Sequence, residues 1–163
     1  MKPMDSESSN PKQATATCFC GAVQLSFPTE APGLAHSFIC HCKDCYKITA
    51  SFFGANFSIA EPYLTHVRGR ENLKTYADPE ARTIDSGHLM TNCFCGTCGT
   101  LMYRIPAGYP GFYALRLGTV DDYEKHEEQL RPRLEQYTKS RAKILKPIEG
   151  LTQYEGMADF SKL

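Results

Sequence analysis

The eight cysteines constrain this chain more than any other feature, because they fall into three tight groups within 163 residues. The groups are Cys18 and Cys20; Cys40, Cys42 and Cys45; and Cys93, Cys95 and Cys98. A chain of this length builds a hydrophobic core without several disulfides, and disulfide frameworks belong to oxidising compartments. The polar start, residues 1–16, lacks the apolar centre of a signal peptide. We therefore expect a cytoplasmic protein whose cysteines bind metal.

The spacing within the groups suits zinc. Sulfur ligands at about 2.3 Å around a tetrahedral ion lie about 3.8 Å apart, a distance that a tight turn can provide. Gly21 follows the first pair, and Gly96 and Gly99 punctuate the last group, where glycine permits the backbone conformations of such a turn. All-thiolate ligation favours zinc, with an iron–sulfur cluster as the minor alternative.

The simplest partition of the cysteines gives two metal sites. One closed site takes four sulfurs, those of Cys18, Cys20, Cys95 and Cys98. The remaining three thiolates, from Cys40, Cys42 and Cys45, converge on one turn and leave a coordination position open, which is typical of catalytic zinc. In the alternative, His41 or Cys93 fills that position and both sites are structural. Cys93 is otherwise a free thiol beside the first site.

Alternation of apolar and polar residues predicts a mainly β fold built from short strands. The predicted strands cover 16–28, 34–39, 52–59, 63–67, 73–76, 83–93, 101–105 and 112–117. One or two short helices are expected near the C-terminus, the best candidate being 121–130 with Asp121 or Asp122 as its N-cap. We divide the chain into a disordered leader (1–14), a zinc-binding domain (15–140) and a C-terminal extension (141–163) that packs on the domain or trails from it.

Charge and hydropathy exclude two classes of partner. The 18 Lys and Arg residues are balanced by 18 Asp and Glu residues, so the basic excess typical of nucleic-acid and membrane-surface binders is absent. No run approaches the roughly 18–20 apolar residues of a membrane span. The expected partner is a small molecule, and the sequence makes no prediction of the oligomeric state.

Three motifs in one order resemble those of the glutathione-dependent formaldehyde-activating enzyme and centromere protein V family. The opening motif is Cys18-Phe19-Cys20-Gly21-Ala22-Val23, the middle one Cys40-His41-Cys42-Lys43-Asp44-Cys45, and the closing one Phe94-Cys95-Gly96-Thr97-Cys98-Gly99-Thr100. The resemblance spans roughly residues 15–140. It implies a zinc-stapled fold of coiled β-sheets, the β-tent.

The resemblance also implies the chemistry. Family members hold a structural zinc where this chain has Cys18, Cys20, Cys95 and Cys98, and a second zinc with an open position where it has Cys40, Cys42 and Cys45. The implied activity is that of a carbon–sulfur lyase, which joins glutathione and formaldehyde into S-hydroxymethylglutathione or cleaves that adduct. The implied content is up to two zinc ions per chain, and the implied substrate is glutathione or its adduct.

The sequence departs from the family pattern at three points. Tyr46 stands where family members often carry an arginine, Ile144 stands in place of a tryptophan, and Cys93 is extra. Losing the arginine changes how an anionic substrate is held, because arginine binds carboxylates bidentately and tyrosine does not. For proton transfer the candidates are His36, His41 and His88. A non-catalytic zinc-stabilised binding module is the alternative function.

Overall fold

The computed structural model of the chain describes residues 12–77 and 85–162, and it is mainly β, as predicted. Those two ranges contain eleven strands and two short α-helices. The strands are β1 (Gln13–Thr17), β2 (Gln24–Pro28), β3 (Leu34–Cys40), β4 (Gly54–Ala60), β5 (Thr65–Arg68), β6 (Leu73–Tyr76), β7 (Met90–Cys95), β8 (Leu101–Pro106), β9 (Phe112–Arg116), β10 (Leu134–Gln136) and β11 (Thr152–Gln153). The helices are α1 (Lys43–Thr49) and α2 (Tyr123–Glu127).

The strands form two sheets. Strands β1, β2 and β5 make a three-stranded antiparallel sheet with β2 in the middle. The larger sheet has eight strands in the order β11-β10-β3-β4-β9-β8-β7-β6. Its strands pair antiparallel except at β10, which runs parallel to both β3 and β11. A parallel neighbour needs a crossover connection, and the chain reaches β10 from β9 by way of α2.

The first predicted strand, 16–28, is in fact a hairpin whose turn carries the first cysteine pair. The turn reverses at Gly21, whose φ of +82° suits glycine. Beyond it, Val23, Leu25 and Phe27 are fully buried and alternate with half-buried polar residues, as predicted. Strand β1 begins at Gln13, inside the segment expected to be leader, and residues 1–11 lie outside the described residues.

The main core lies between the two sheets. The rings of Phe27 on β2 and Phe57 on β4 meet with centroids 4.9 Å apart, and neither side chain is exposed. Leu25, Met102 and Leu115 are also fully buried in this cluster. Burying such side chains contributes about 1.5–3 kcal/mol each, so this core holds the small sheet on the large one.

Helix α1 lies in the first half of the chain, whereas the sequence predicts one or two short helices near the C-terminus. The sequence predicts a turn at the middle cysteine motif, but Lys43–Thr49 is a helix and Cys42 is its N-cap. The Cys42 sulfur accepts the backbone N–H of Cys45 at 3.3 Å. Cysteine is not a usual N-cap residue, and seven residues are too few for a clear helical repeat of apolar positions.

The predicted C-terminal helix is present but shorter than 121–130. Helix α2 covers Tyr123–Glu127, and its N-cap is Asp122, which accepts the backbone N–H of Glu124 at 3.0 Å. The neighbouring Asp121 has another partner, because it accepts the hydroxyls of Thr15 and Thr17 on β1, each at 2.7 Å. The predicted strand 83–93 is also displaced: the structure places a strand at Met90–Cys95, and residues 83 and 84 lie outside the described ranges.

The chain past Pro132 packs onto β3. In β10, Leu134 pairs with Phe38 and Gln136 with Cys40. Residues 152–153 then add β11, and Ala158 is buried in a second apolar cluster with the middle cysteines. Among the described residues, no helix is both long and apolar enough to cross a membrane.

Candidate metal centres and the adjoining cavity

Four cysteines predicted to share a site come together in the structure. Their sulfurs all lie within 4.8 Å of one another, and this four-cysteine group consists of Cys18, Cys20, Cys95 and Cys98. The Cys20 sulfur is 3.6 Å from that of Cys18 and 3.8 Å from that of Cys95. A tetrahedral zinc with sulfur ligands requires about 3.8 Å, so the donor set and its spacing fit that ion.

Backbone and amide donors support charged sulfurs in this group. The backbone N–H of Val23 donates to the Cys18 sulfur at 3.2 Å, and the Asn72 amide donates to the Cys95 sulfur at 3.4 Å. A side chain at Gly96 would come within 2.8 Å of the Asn72 carbonyl oxygen, so glycine permits this approach. Burial raises the pKa of the Cys98 thiol, but hydrogen bonds from Thr100 outweigh this effect and bring the pKa to about 6.

The three remaining predicted ligands form a second group. The sulfurs of Cys40, Cys42 and Cys45, the three-cysteine group, also lie within 4.8 Å of one another, and all three side chains are buried. Cys40 ends β3, Cys42 caps α1 and Cys45 lies in the first turn of that helix. The strand end and the helix start therefore deliver three thiols to one point.

Positive charge lies beside the three-cysteine group. Gly54 leaves room for the Arg116 guanidinium beside the Cys45 sulfur, because a β-carbon at residue 54 would be 2.8 Å from Arg116 Nη1 and 3.2 Å from that sulfur. Hydrogen bonds from the thiols of Cys40 and Cys42, followed by the charges of Arg116 and Arg104, hold the pKa of Cys45 well below its ordinary value. An ionised thiol is the form that binds metal.

Neither alternative fourth ligand joins the three-cysteine group. His41 is buried, but its Nε2 lies 2.7 Å from a carboxylate oxygen of Glu135, and the ring is not within 4.8 Å of all three sulfurs. Cys93 lies opposite Tyr103 in the β7–β8 pair and belongs to neither sulfur group. Instead Cys42 shares a further group with Asp44 and Asp85. Sequence spacing could not indicate this, since Asp85 lies far from the motif.

A cavity of about 340 Å³ adjoins the three-cysteine group. All three of its cysteines line the cavity, together with Arg104 on β8 and Arg116 on β9. Of the three histidines considered for proton transfer, His36 lines the cavity, and burial lowers its pKa. The ring of His88 instead lies against Gly108. Ligand cavities of this kind commonly measure about 300–1,000 Å³, so the space suits a small molecule.

The cavity contains functional candidates that the sequence did not identify. Arg116 and Asn56 belong to separate strands whose alternation predicted only core and surface. Met157 and Phe160 come from the segment after β11. A charged residue inside an apolar strand pattern, as at Arg104 and Arg116, is the one signal in the sequence that points toward them.

A β fold with two clusters of converging thiols, one beside a cavity, is typical of a protein that can hold metal ions next to a small-molecule site. The chain belongs to the glutathione-dependent formaldehyde-activating enzyme family, whose model matches residues 13–140. A crystal structure of a Rhodobacter sphaeroides protein has a similar fold, with a TM-score of 0.52 and 25% sequence identity over 70% of this chain and 95% of that one. No curated protein matches this chain.

Cys93→Ala is expected to leave metal content unchanged and to cost about 1 kcal/mol of stability, the loss from one small buried group. The Cys93 side chain is 2% exposed, and burial raises its pKa, so the thiol is neutral and enclosed. Thermal unfolding and metal analysis measure both quantities. Loss of one metal equivalent in this variant would make Cys93 a ligand and would contradict the grouping.

Proposed function

We propose that the protein is a zinc-dependent enzyme that forms or cleaves a carbon–sulfur bond between a thiol and an aldehyde, of the type that makes S-hydroxymethylglutathione. The observation that carries this proposal is the convergence of the buried thiols of Cys40, Cys42 and Cys45 on the wall of a cavity. A set of three protein ligands is the one that leaves zinc a position for substrate. The four-cysteine group would hold a structural zinc.

Zinc, when bound, would supply a positive charge that keeps a thiol substrate deprotonated at neutral pH. Two of the protein's own residues favour this deprotonation of the substrate. Cys45 is readily ionised, and the half-buried His36 imidazole is neutral near pH 7 because burial lowers its pKa. A neutral imidazole that lines the cavity can accept the proton that the thiol loses.

The reaction balances without an oxidant or reductant. The thiol sulfur bonds to the aldehyde carbon, the carbonyl oxygen gains one proton, and the thiol loses one. In the reverse direction the same bond breaks and the proton returns. Arg104 and Arg116 place positive charge at the cavity wall, where it favours the anionic forms of thiol and oxygen. We also propose that the enzyme acts in the cytoplasm, where its eight free thiols stay reduced.

Cobalt substitution tests the open position directly. Cobalt takes the same tetrahedral sulfur sites as zinc, and its sulfur-to-metal absorption reports the number of thiolates. We expect two equivalents to bind, and glutathione to intensify the absorption of the more weakly held one. In parallel, the zinc-loaded protein is expected to convert glutathione and formaldehyde. If two cobalt ions bind, their absorption does not change when thiols are added and the zinc-loaded protein shows no turnover, then both sites are structural.

A further inference from the structure

Two buried guanidinium groups line the cavity without a carboxylate partner among the described residues. Arg104 and Arg116 are each 7% exposed. The Nη1 of Arg116 donates to the Asn56 side chain, whereas its buried Nε and Nη2 have no hydrogen-bond partner within residues 12–77 and 85–162. Arg104 donates through Nε to Asn92 at 2.8 Å. Buried charge is costly unless it is paired. The Cys45 sulfur faces Arg116 with a hydrogen bond and opposite charge, which leaves the two unused donors of Arg116 to be satisfied.

The unused donors of Arg116 are the pair that suits a carboxylate. Nε–H and Nη2–H point the same way from the planar guanidinium and match the two oxygens of a carboxylate. Of the described residues that line the cavity, Asp44 is the one with a carboxylate, and it accepts the Asp85 backbone N–H at 2.8 Å. Within residues 12–77 and 85–162, the Nε and Nη2 donors of Arg116 therefore remain available to a ligand.

Part of the cavity lining is apolar. We call the side chains of Phe38, Tyr109, Met157 and Phe160 the aromatic wall. The Phe160 ring has its centroid 5.3 Å from that of Phe38 and 6.0 Å from that of Tyr109, so the rings hold one another in place. Met157 and Phe160 lie beyond residue 140, where the family match ends. The wall offers ring faces and a thioether, with few groups to satisfy a peptide backbone.

We propose that the cavity takes a small organic acid with an apolar body, its carboxylate held by Arg104 and Arg116 and its body against the aromatic wall. The inference rests on the proposed function for the identity of the reacting group. On that basis the substrate is a thiol or an aldehyde that also has a carboxylate and an apolar body.

The test uses a ligand that cannot react. Titration calorimetry compares 3-phenylpropionate with 3-phenylpropanamide on the zinc-loaded protein, since the two differ only in the charged end. We expect the acid to bind about tenfold more tightly than the amide, the worth of one charge-assisted hydrogen bond. Arg116→Gln, which removes the pair of unused donors, is expected to remove that difference, and Arg104→Gln to reduce it. Phe160→Ala is expected to weaken acid and amide by the same factor.

Arg131→Gln, at an exposed arginine, is the matched control and is expected to bind as the unchanged protein does. Equal binding of acid and amide, or an acid preference that survives both Arg116→Gln and Arg104→Gln, would overturn the inference. Because the probes have neither thiol nor aldehyde, this result is independent of turnover. Turnover of a thiol and an aldehyde with no acid preference would sink the inference alone, whereas an acid preference without any turnover would sink the proposed function alone.

Discussion

Cys42→Ser is expected to abolish turnover while leaving the domain folded. The substitution removes one of the three sulfurs proposed to hold the catalytic zinc, and serine is a poor ligand for that ion. Losing a residue that merely orients a zinc ligand costs about 10–100-fold, so losing a ligand itself should lower kcat/KM by more than about a hundredfold. Steady-state rates with glutathione and formaldehyde measure the loss.

The fold should survive because Cys42 is also the N-cap of α1, where its sulfur accepts the Cys45 N–H. Serine is among the best N-cap residues, and its hydroxyl can accept the same N–H. We expect a melting temperature within a few degrees of the unchanged protein, and one metal equivalent fewer. Cys93→Ala, a change at a buried cysteine outside both groups, should keep its activity. Normal turnover by Cys42→Ser with one metal missing would exclude the three-cysteine group from the chemistry.

Cys95→Ser is expected to unfold the domain or nearly so. Cys95 is fully buried in β7, and its group joins the β1–β2 turn of the small sheet to the large sheet. Metal binding contributes about 10–16 kcal/mol in small zinc domains, which is comparable to the whole stability of about 5–15 kcal/mol of a typical domain. A loss on the order of 5 kcal/mol would lower Tm by roughly 10–20 °C. Circular dichroism during heating measures this.

The comparison of the two serine variants separates a structural site from a catalytic one. Both replace a buried cysteine by serine, so the substitution itself is matched. Unequal melting temperatures, with Cys95→Ser far lower, are the expected result. If Cys42→Ser loses as much stability as Cys95→Ser, the three-cysteine group also holds the fold together and the catalytic proposal fails.

The sequence predicts three tight groups of cysteines because each lies in one short motif, with glycines beside the first and last groups. It also predicts strand β2, since the alternation of Val23, Leu25 and Phe27 follows directly from one face being buried. Those features are local. Their signal is contained in a few consecutive residues, so no knowledge of the rest of the chain is needed.

The cavity is not local, and the sequence predicts little of it. Arg104 and Arg116 come from different strands, and they face one space only because β8 and β9 are neighbours. The sequence does not predict helix α1, because its N-cap is Cys42, a residue whose position in the motif indicates a metal ligand and not a helix cap. The course of the chain past Pro132 is not local either. Leu134, Glu135, Gln136 and Tyr137 are buried because β10 pairs with β3, which lies almost a hundred residues earlier in the sequence.

The cavity is lined by residues from two stretches of the chain. The thiols and the guanidinium groups come from residues inside the family match, whereas Met157 and Phe160 come from the segment after it. Selectivity for the body of a substrate can thus change by exchange of the segment after residue 140, without altering the reacting groups. A chimera that grafts this segment onto a relative is expected to carry over the contribution of Met157 and Phe160 and to keep the recipient's own chemistry.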